Sequence, residues 1–273
     1  MKILKQLFDF YINSSIHVAL AVVSLCVVSY VNFDFSPDSD LLLFVFFGSI
    51  TGYNFVKYAG IAKLHHSSLA KGLKIIQIFS FFAFLFLLWS AWNMQVEILY
   101  WTAFFGFFTL LYALPVLSKK RNLRSISGIK IFVIAFVWAG VTVILPFIEG
   151  GGIIGSEVLP EFVQRFLLVL VLILPFEIRD LKYDLQQLGT IPQKMGVTRT
   201  KILGFVMLAG VFLIEFLKDS VSRASISALA FIILFTAGMI WKSREQQSQY
   251  FSAFWVESIP IFWMFILLLL RSF

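Results

Sequence analysis

Apolar residues in this chain do not alternate and do not keep to one helical stripe; they come in long unbroken runs such as "FSFFAFLFLLWSAW" and "RFLLVLVLILPF". Runs of roughly 17 to 25 mainly apolar residues are the length a helix needs to cross a bilayer. Nine are predicted, at 14–31, 41–58, 74–92, 96–117, 129–148, 163–178, 201–217, 225–241 and 252–271. A transmembrane barrel would need ~10-residue segments alternating apolar and polar, whereas these runs are apolar on all sides. Helices satisfy their own backbone hydrogen bonds in lipid, so the expectation is an all-α, polytopic membrane bundle forming one transmembrane domain over 1–273.

Composition agrees with the pattern. Hydrophobic residues make up 60% of the chain and charged ones 14%, with a mean hydropathy of +0.91, which excludes an ordinary soluble domain and gives no sign of a nucleic-acid-binding surface. The single cysteine, Cys26, allows no internal disulfide and no cysteine-based metal cluster. The apolar stretch after the basic N-terminus is long enough to span and lacks a clear small-residue cleavage site, so it reads as a retained first helix.

Orientation follows from the basic residues between spans. With the N-terminus inside, eighteen of the 22 Lys and Arg fall on the inner side, and only Arg165, Lys218, Arg223 and Arg271 fall outside. The outer connections "NFDFSPDSD" and "IEGGGIIGSEVLPE" are acidic instead. The expectation is a cytoplasmic N-terminus, a C-terminus outside, and a place in a bacterial inner membrane. Topology and attraction to anionic lipids account for most of the inner positive charge.

Three inner connections are long and carry residues capable of chemistry: 57–74, 118–130 and 179–201. If the sixth span continues as a helix through 184, Asp180 lies about 60° and Asp184 about 20° from Glu177 around its axis, at about 100° per residue. Arg179 and Lys182 then fall at about 200° and 140°, on the opposite side. Three carboxylates on one face beside the membrane suit Mg²⁺, which takes one or two carboxylates, waters and substrate phosphates. A solvated loop of mixed charge is the bland alternative. "LGT", "IPQ" and "KMG" then break the helix and turn the chain back.

The stretch "FEIRDLKYDLQQLGTIPQKMGVTRTK" resembles the second aspartate-rich motif of the UbiA superfamily of intramembrane prenyltransferases, at Glu177, Asp180, Asp184, Gly189, Thr190, Pro192 and Gly196. "LLYALPVLSKKRNLR" resembles the family's Tyr-x-x-Pro segment with its following basic residues. The resemblance implies a nine-helix bundle around a lipid-open cavity and a polyprenyl diphosphate bound through Mg²⁺. The isoprenyl group would pass to an aromatic or other hydrophobic acceptor. It also implies catalytic roles for Asn54, Asp180 and Asp184, metal ligation by Glu177, Asp180 and Asp184, and substrate contacts from Lys57, Tyr112, Lys119 and Arg124.

One departure divides the reading. The family's first motif places three acids after an Asn, and here "GYNFVKYAGIAKLHH" keeps only Asn54, with Phe55, Tyr58 and Ala62 at the acid positions. Either Lys57 substitutes its charge for a metal and grips the diphosphate, or the protein is a silent relative that binds an isoprenoid, a quinone or a protein partner. Lys57 could also simply snorkel at a helix end. Gly48 and Gly52 are spaced for close helix packing, His65 and His66 lack a third ligand at zinc-like spacing, and Glu215 and Glu257 lie near span ends, within reach of the interface. Paired broken helices of the transporter kind are not found.

Overall fold

In a computed structural model the chain is described over residues 2–58, 70–114, 123, 126, 128–182, 189–219 and 221–272, with the side chains of 2 and 70–72 left aside, and helices joined by turns and short irregular connections make up these residues. Helix α1 covers Lys2–Asn13, α2 Ile16–Asn32, α3 Ser39–Tyr58, α4 Ala70–Ala91 and α5 Val96–Ala113. Then α6 (Lys130–Ala139) runs through a π turn, Gly140–Ile144, into α7 (Leu145–Glu149). Helices α8 (Val158–Asp180), α9 (Ile191–Glu215) and α10 (Arg223–Lys242) follow, and a second π segment, Phe251–Val256, leads into α11 (Ile259–Arg271). Among the described residues eight helical stretches are long and apolar enough to cross a bilayer, and the bent pair α1–α2 adds a ninth. With that bent pair counted as one span, the number and order match the nine expected.

Three span boundaries differ from the sequence expectation, each for a local reason. The first predicted span, 14–31, corresponds to α2 but is preceded by a further helix: α1 meets α2 at 52°, with Ser15 in the left-handed region at φ 66°. Asn54 holds that break, because its amide donates to the Ser14 carbonyl at 2.9 Å and its carbonyl accepts from the Ser15 hydroxyl at 2.8 Å. Helix α5 ends at Ala113, and Leu114 turns extended at φ −91°, ψ 142° because Pro115 disfavours a helical residue before it. Finally, α8 ends at Asp180, with Leu181 capping it, and the continuation to 184 that the face argument assumed lies outside the described residues.

The spans 130–149 and 158–180 are the most enclosed, and α4 and α5 the most peripheral, turning Phe81, Phe82, Trp89, Trp92 and Tyr100 outward as a lipid-facing surface. At the Asn32 end of the bundle, charges are buried as a closed network. Arg165, fully buried, donates to Glu161 at 2.9 Å, to the Leu25 carbonyl at 2.8 Å and to Ser29 at 3.1 Å, with Trp263 against its guanidinium at 5.1 Å. Lys218 pairs with Glu161 at 2.5 Å and Glu215 at 2.6 Å. Arg165 and Lys218 are thus not loop cations, as their place in the sequence suggested. They are neutralised inside the bundle by two acids, where unpaired charge would be costly. Glu215 likewise turns inward rather than to the interface, accepting from Gln164 at 2.8 Å.

Candidate functional site

Between α2, α3, α4, α5 and α6 lies a cavity of about 1190 Å³. Its wall is mostly apolar and aromatic, including Phe44, Phe84, Phe105 and Trp138. Two of its lining glycines explain the open space: a Cβ at Gly52 or at Gly106 would meet no heavy atom within 4 Å. Gly48 alone behaves as the packing glycine that the small-residue spacing suggested, with Leu87 3.5 Å from its would-be Cβ.

The polar lining gathers around the C-terminal half of α3. Lys57 is the charged residue among those bordering the cavity, joined by Tyr53 and Tyr112. The Trp138 indole donates to the Tyr53 hydroxyl at 2.6 Å, and Tyr112 is buried. Lys57 is exposed and borders the cavity, with its Nζ 3.5 Å from the Asn13 carbonyl. Of the predicted substrate contacts, Lys57 and Tyr112 therefore share this cavity, while Lys119 and Arg124 lie outside the described residues.

The predicted carboxylates fare differently. Glu177 is buried and paired with Lys130 at 2.8 Å. Asp180 takes a two-pronged bond from its neighbour Arg179, at 2.7 and 3.2 Å, and that guanidinium also rests over Phe176 at 5.3 Å. Angular separation on the helix had put Arg179 on the far side. The long side chain of Arg179, in the last turn of α8, reaches back across that angle. Asp184 lies outside the described residues.

Asn54 is buried and fully committed: besides Ser14 and Ser15, its amide donates to the Ser80 hydroxyl at 2.8 Å. It joins the α1–α2 break to α4, a structural duty the motif comparison did not anticipate. Among the described residues no group of three or more His, Cys, Asp or Glu is placed to hold a metal. With Glu177 and Asp180 each on a basic partner and Asn54 saturated by protein, the described donors do not fit a magnesium site.

Sequence reasoning gave Glu257 little weight, and its side chain is partly buried. It follows directly on the π segment 251–256, an insertion of the kind often found at functional sites. That segment is pinned from two sides. Ser252 and Gln247 bond to the Pro175 carbonyl of α8 at 3.4 and 2.8 Å, and His17 of α2 bonds to the Phe254 carbonyl at 3.0 Å and to Ser258 at 3.2 Å. Among the described residues the Glu257 carboxylate has no hydrogen-bond or ion-pair contact, but it lies in electrostatic range of Lys57 and Arg179.

No family model matches the chain, and no curated protein matches it in sequence. Solved structures do match in shape. A UbiA homologue from Archaeoglobus fulgidus bound to GPP and Mg²⁺ superposes with a TM-score of 0.62 at 12% identity, over 97% of this chain and 100% of that one. The Cd²⁺-bound structure of a UbiA homologue from that organism gives 0.62 at 13%, over 97% and 100%. A digeranylgeranylglyceryl phosphate synthase gives 0.58 at 15%, over 97% of each chain. The chain has the fold of the UbiA homologues.

Proposed function

We propose that this protein belongs to the UbiA superfamily and is an integral membrane prenyltransferase. It takes a polyprenyl diphosphate into the apolar cavity with the diphosphate at Lys57, and passes the isoprenyl group to an aromatic or other lipid-soluble acceptor. The observation that carries this reading is the cavity itself: about 1190 Å³, beyond the ~300–1,000 Å³ of ordinary small-molecule pockets, apolar and ring-lined, with Lys57 the charged residue bordering it among the described residues. Its N-terminus lies in the cytoplasm and its C-terminus outside, in the inner membrane of a bacterium.

The chemistry asked of these residues is limited and concrete. The allylic C–O bond breaks with its electron pair going to the diphosphate, whose growing negative charge Lys57 offsets in a low-dielectric site. The rings of Phe105, Tyr53 and Trp138, which line the cavity, stabilise the cation that remains, and the apolar wall disfavours water beside it. The acceptor then bonds to the cation and loses a proton. Because Glu177 and Asp180 are each occupied by a basic side chain, no step is assigned to a metal.

Pyrophosphate release from geranylgeranyl diphosphate, measured on detergent-purified protein with aromatic acceptors in EDTA or in Mg²⁺, tests the reading. Release that persists in EDTA and is lost in Lys57→Gln supports it. Release only with Mg²⁺ returns the metal role to Asp180, Asp184 and Glu177. A second reading, an isoprenoid-binding relative without transfer, is favoured by the Lys130–Glu177 pair; tight binding with no release in either condition selects it.

A further inference from the structure

Helix α1 is amphipathic, whereas α2 is apolar on most sides. Around its axis Ile3, Leu4 and Leu7 share a sector of about 100°, and Lys5, Gln6, Asp9 and Asn13 share another roughly opposite, at about 100° per residue. The three apolar side chains are 73%, 74% and 61% exposed, so the bundle leaves most of their surface bare. Lys5 and Gln6 are exposed on the polar side.

The other half of α1 is held fast. Phe8 rests on Phe254 and Tyr250 at 5.1 and 5.4 Å, and Phe10 on Phe79 of α4 at 5.5 Å. The Tyr250 hydroxyl donates to Asp9, and the Asn13 carbonyl accepts from the Tyr58 hydroxyl at 2.9 Å. Together with the Asn54 bonds at the break, these contacts set the 52° bend. They also set its depth: Asn54 stands one turn before the end of α3 at Tyr58, about 6 Å inside it. Twelve residues make α1 about 18 Å long, so at 52° it climbs about 11 Å along the direction of α2 and moves about 14 Å sideways. It therefore crosses the layer where the spans end, obliquely, with its bare apolar sector projecting beyond the packed half.

Charge at this end of the bundle is positive. Lys5, Lys74, Lys194, Arg199, Lys242 and Arg244 are exposed there, and Glu245 is the exposed acid at that end among the described residues. An amphipathic helix at the level of the headgroups, apolar on one side and surrounded by cations, has the pattern of a segment lying in the interface of an anionic leaflet.

We propose that the N-terminal half of α1 is a docking surface for anionic phospholipid, with Ile3, Leu4 and Leu7 entering the boundary between headgroups and acyl chains and Lys5 facing the headgroup phosphates. The proposal is independent of the transferase reading.

The test places a nitroxide on Leu4→Cys, Leu7→Cys or Gln6→Cys of the full-length protein in nanodiscs of phosphatidylglycerol or of phosphatidylcholine; Cys26 is buried and stays unlabelled. Power saturation compares access of oxygen, which concentrates in acyl chains, with access of a water-soluble nickel chelate. In phosphatidylglycerol the oxygen-to-nickel ratio is expected to be at least about threefold higher at positions 4 and 7 than at 6, as for an interfacial helix. The contrast shrinks in phosphatidylcholine, and Lys5→Glu, read through the label at 7, shrinks it in phosphatidylglycerol. Equal contrast in the two lipids overturns the choice of anionic headgroups. Nickel access at 4 and 7 equal to that at 6 means that the sector stays in water and overturns the docking surface. Exclusion of both reagents from 4 and 7 means that protein covers the sector, a second copy being the partner present in the disc, and overturns it as well.

Discussion

The ammonium of Lys130 sits 2.8 Å from the carboxylate of Glu177, joining the first turn of α6 to the last turns of α8. Glu177 is buried and would be the membrane-side member of a metal-binding face. A carboxylate held by lysine has to break that pair before it can take a divalent cation, which costs more at a half-enclosed site than in water. Glu177→Gln is therefore expected to lower stability by about 1–3 kcal/mol, less than for a fully buried pair because Lys130 keeps some access to water. Melting of the detergent-purified variant with and without MgCl₂ checks this. A magnesium-dependent stabilisation in wild type that vanishes in Glu177→Gln would make the glutamate a ligand instead.

Asn54 leads to a different expectation. A residue matching a catalytic motif position is here bonded on both ends of its amide, to Ser14, Ser15 and Ser80, all within the bundle. Asn54→Ala strands the Ser14 carbonyl and the Ser15 hydroxyl, each costing about 1–3 kcal/mol when left unsatisfied, while Ser80 keeps its bond to the Ile76 carbonyl. Loss of stability of that order, with diphosphate affinity in the surviving folded fraction unchanged, is expected from thermal melts and binding isotherms. A stable variant with abolished binding would restore Asn54 to the ligand site.

The class of fold and the order of the spans were legible because unbroken apolar runs carry that information residue by residue. What was not legible depends on pairings far apart in the chain. Nothing around Arg165 announces that Glu161, Ser29 and Trp263 will enclose it, since Ser29 and Trp263 come from the first and last spans. The bend at Ser15 depends on Asn54, nearly forty residues on. Glycines with positive φ at 189 and 196 do match the chain breaks read at "LGT" and "KMG", because that requirement is local. In the candidate site, Lys57 and Tyr112 were recognised by type and position and do share the cavity. Glu257 was passed over because only the π segment and its contacts with α2 and α8 partly bury it.

The Arg165 network makes a stability prediction. Its charges sum to zero, with Arg165 and Lys218 against Glu161 and Glu215. Removing one cation leaves an acid without compensation, so Arg165→Met is expected to destabilise by about 3–5 kcal/mol. Adding Glu161→Gln removes the stranded charge and recovers part of the loss, and a double-mutant cycle on unfolding reads the coupling directly. Independent, additive losses would mean that solvent reaches the site and screens it.

Gly52 offers the most direct way to separate the cavity from the fold. It lies in α3 facing open space, so a larger side chain enters the cavity instead of a neighbouring helix, and replacing a mid-helix glycine itself favours the helix by up to about 1 kcal/mol. Gly52→Leu is thus expected to melt at or above the wild-type temperature while occupying volume that an isoprenyl chain would use. The loss of affinity should grow with chain length, small for dimethylallyl diphosphate and largest for geranylgeranyl diphosphate, because only the longer chains must share space with the leucine. Gly106→Leu, on α5, should behave alike. Binding isotherms across that series discriminate the outcomes. An equal loss for every chain length would mean the substitution disturbs the Lys57 end and not the apolar wall, and no loss at all would mean the isoprenyl chain lies elsewhere.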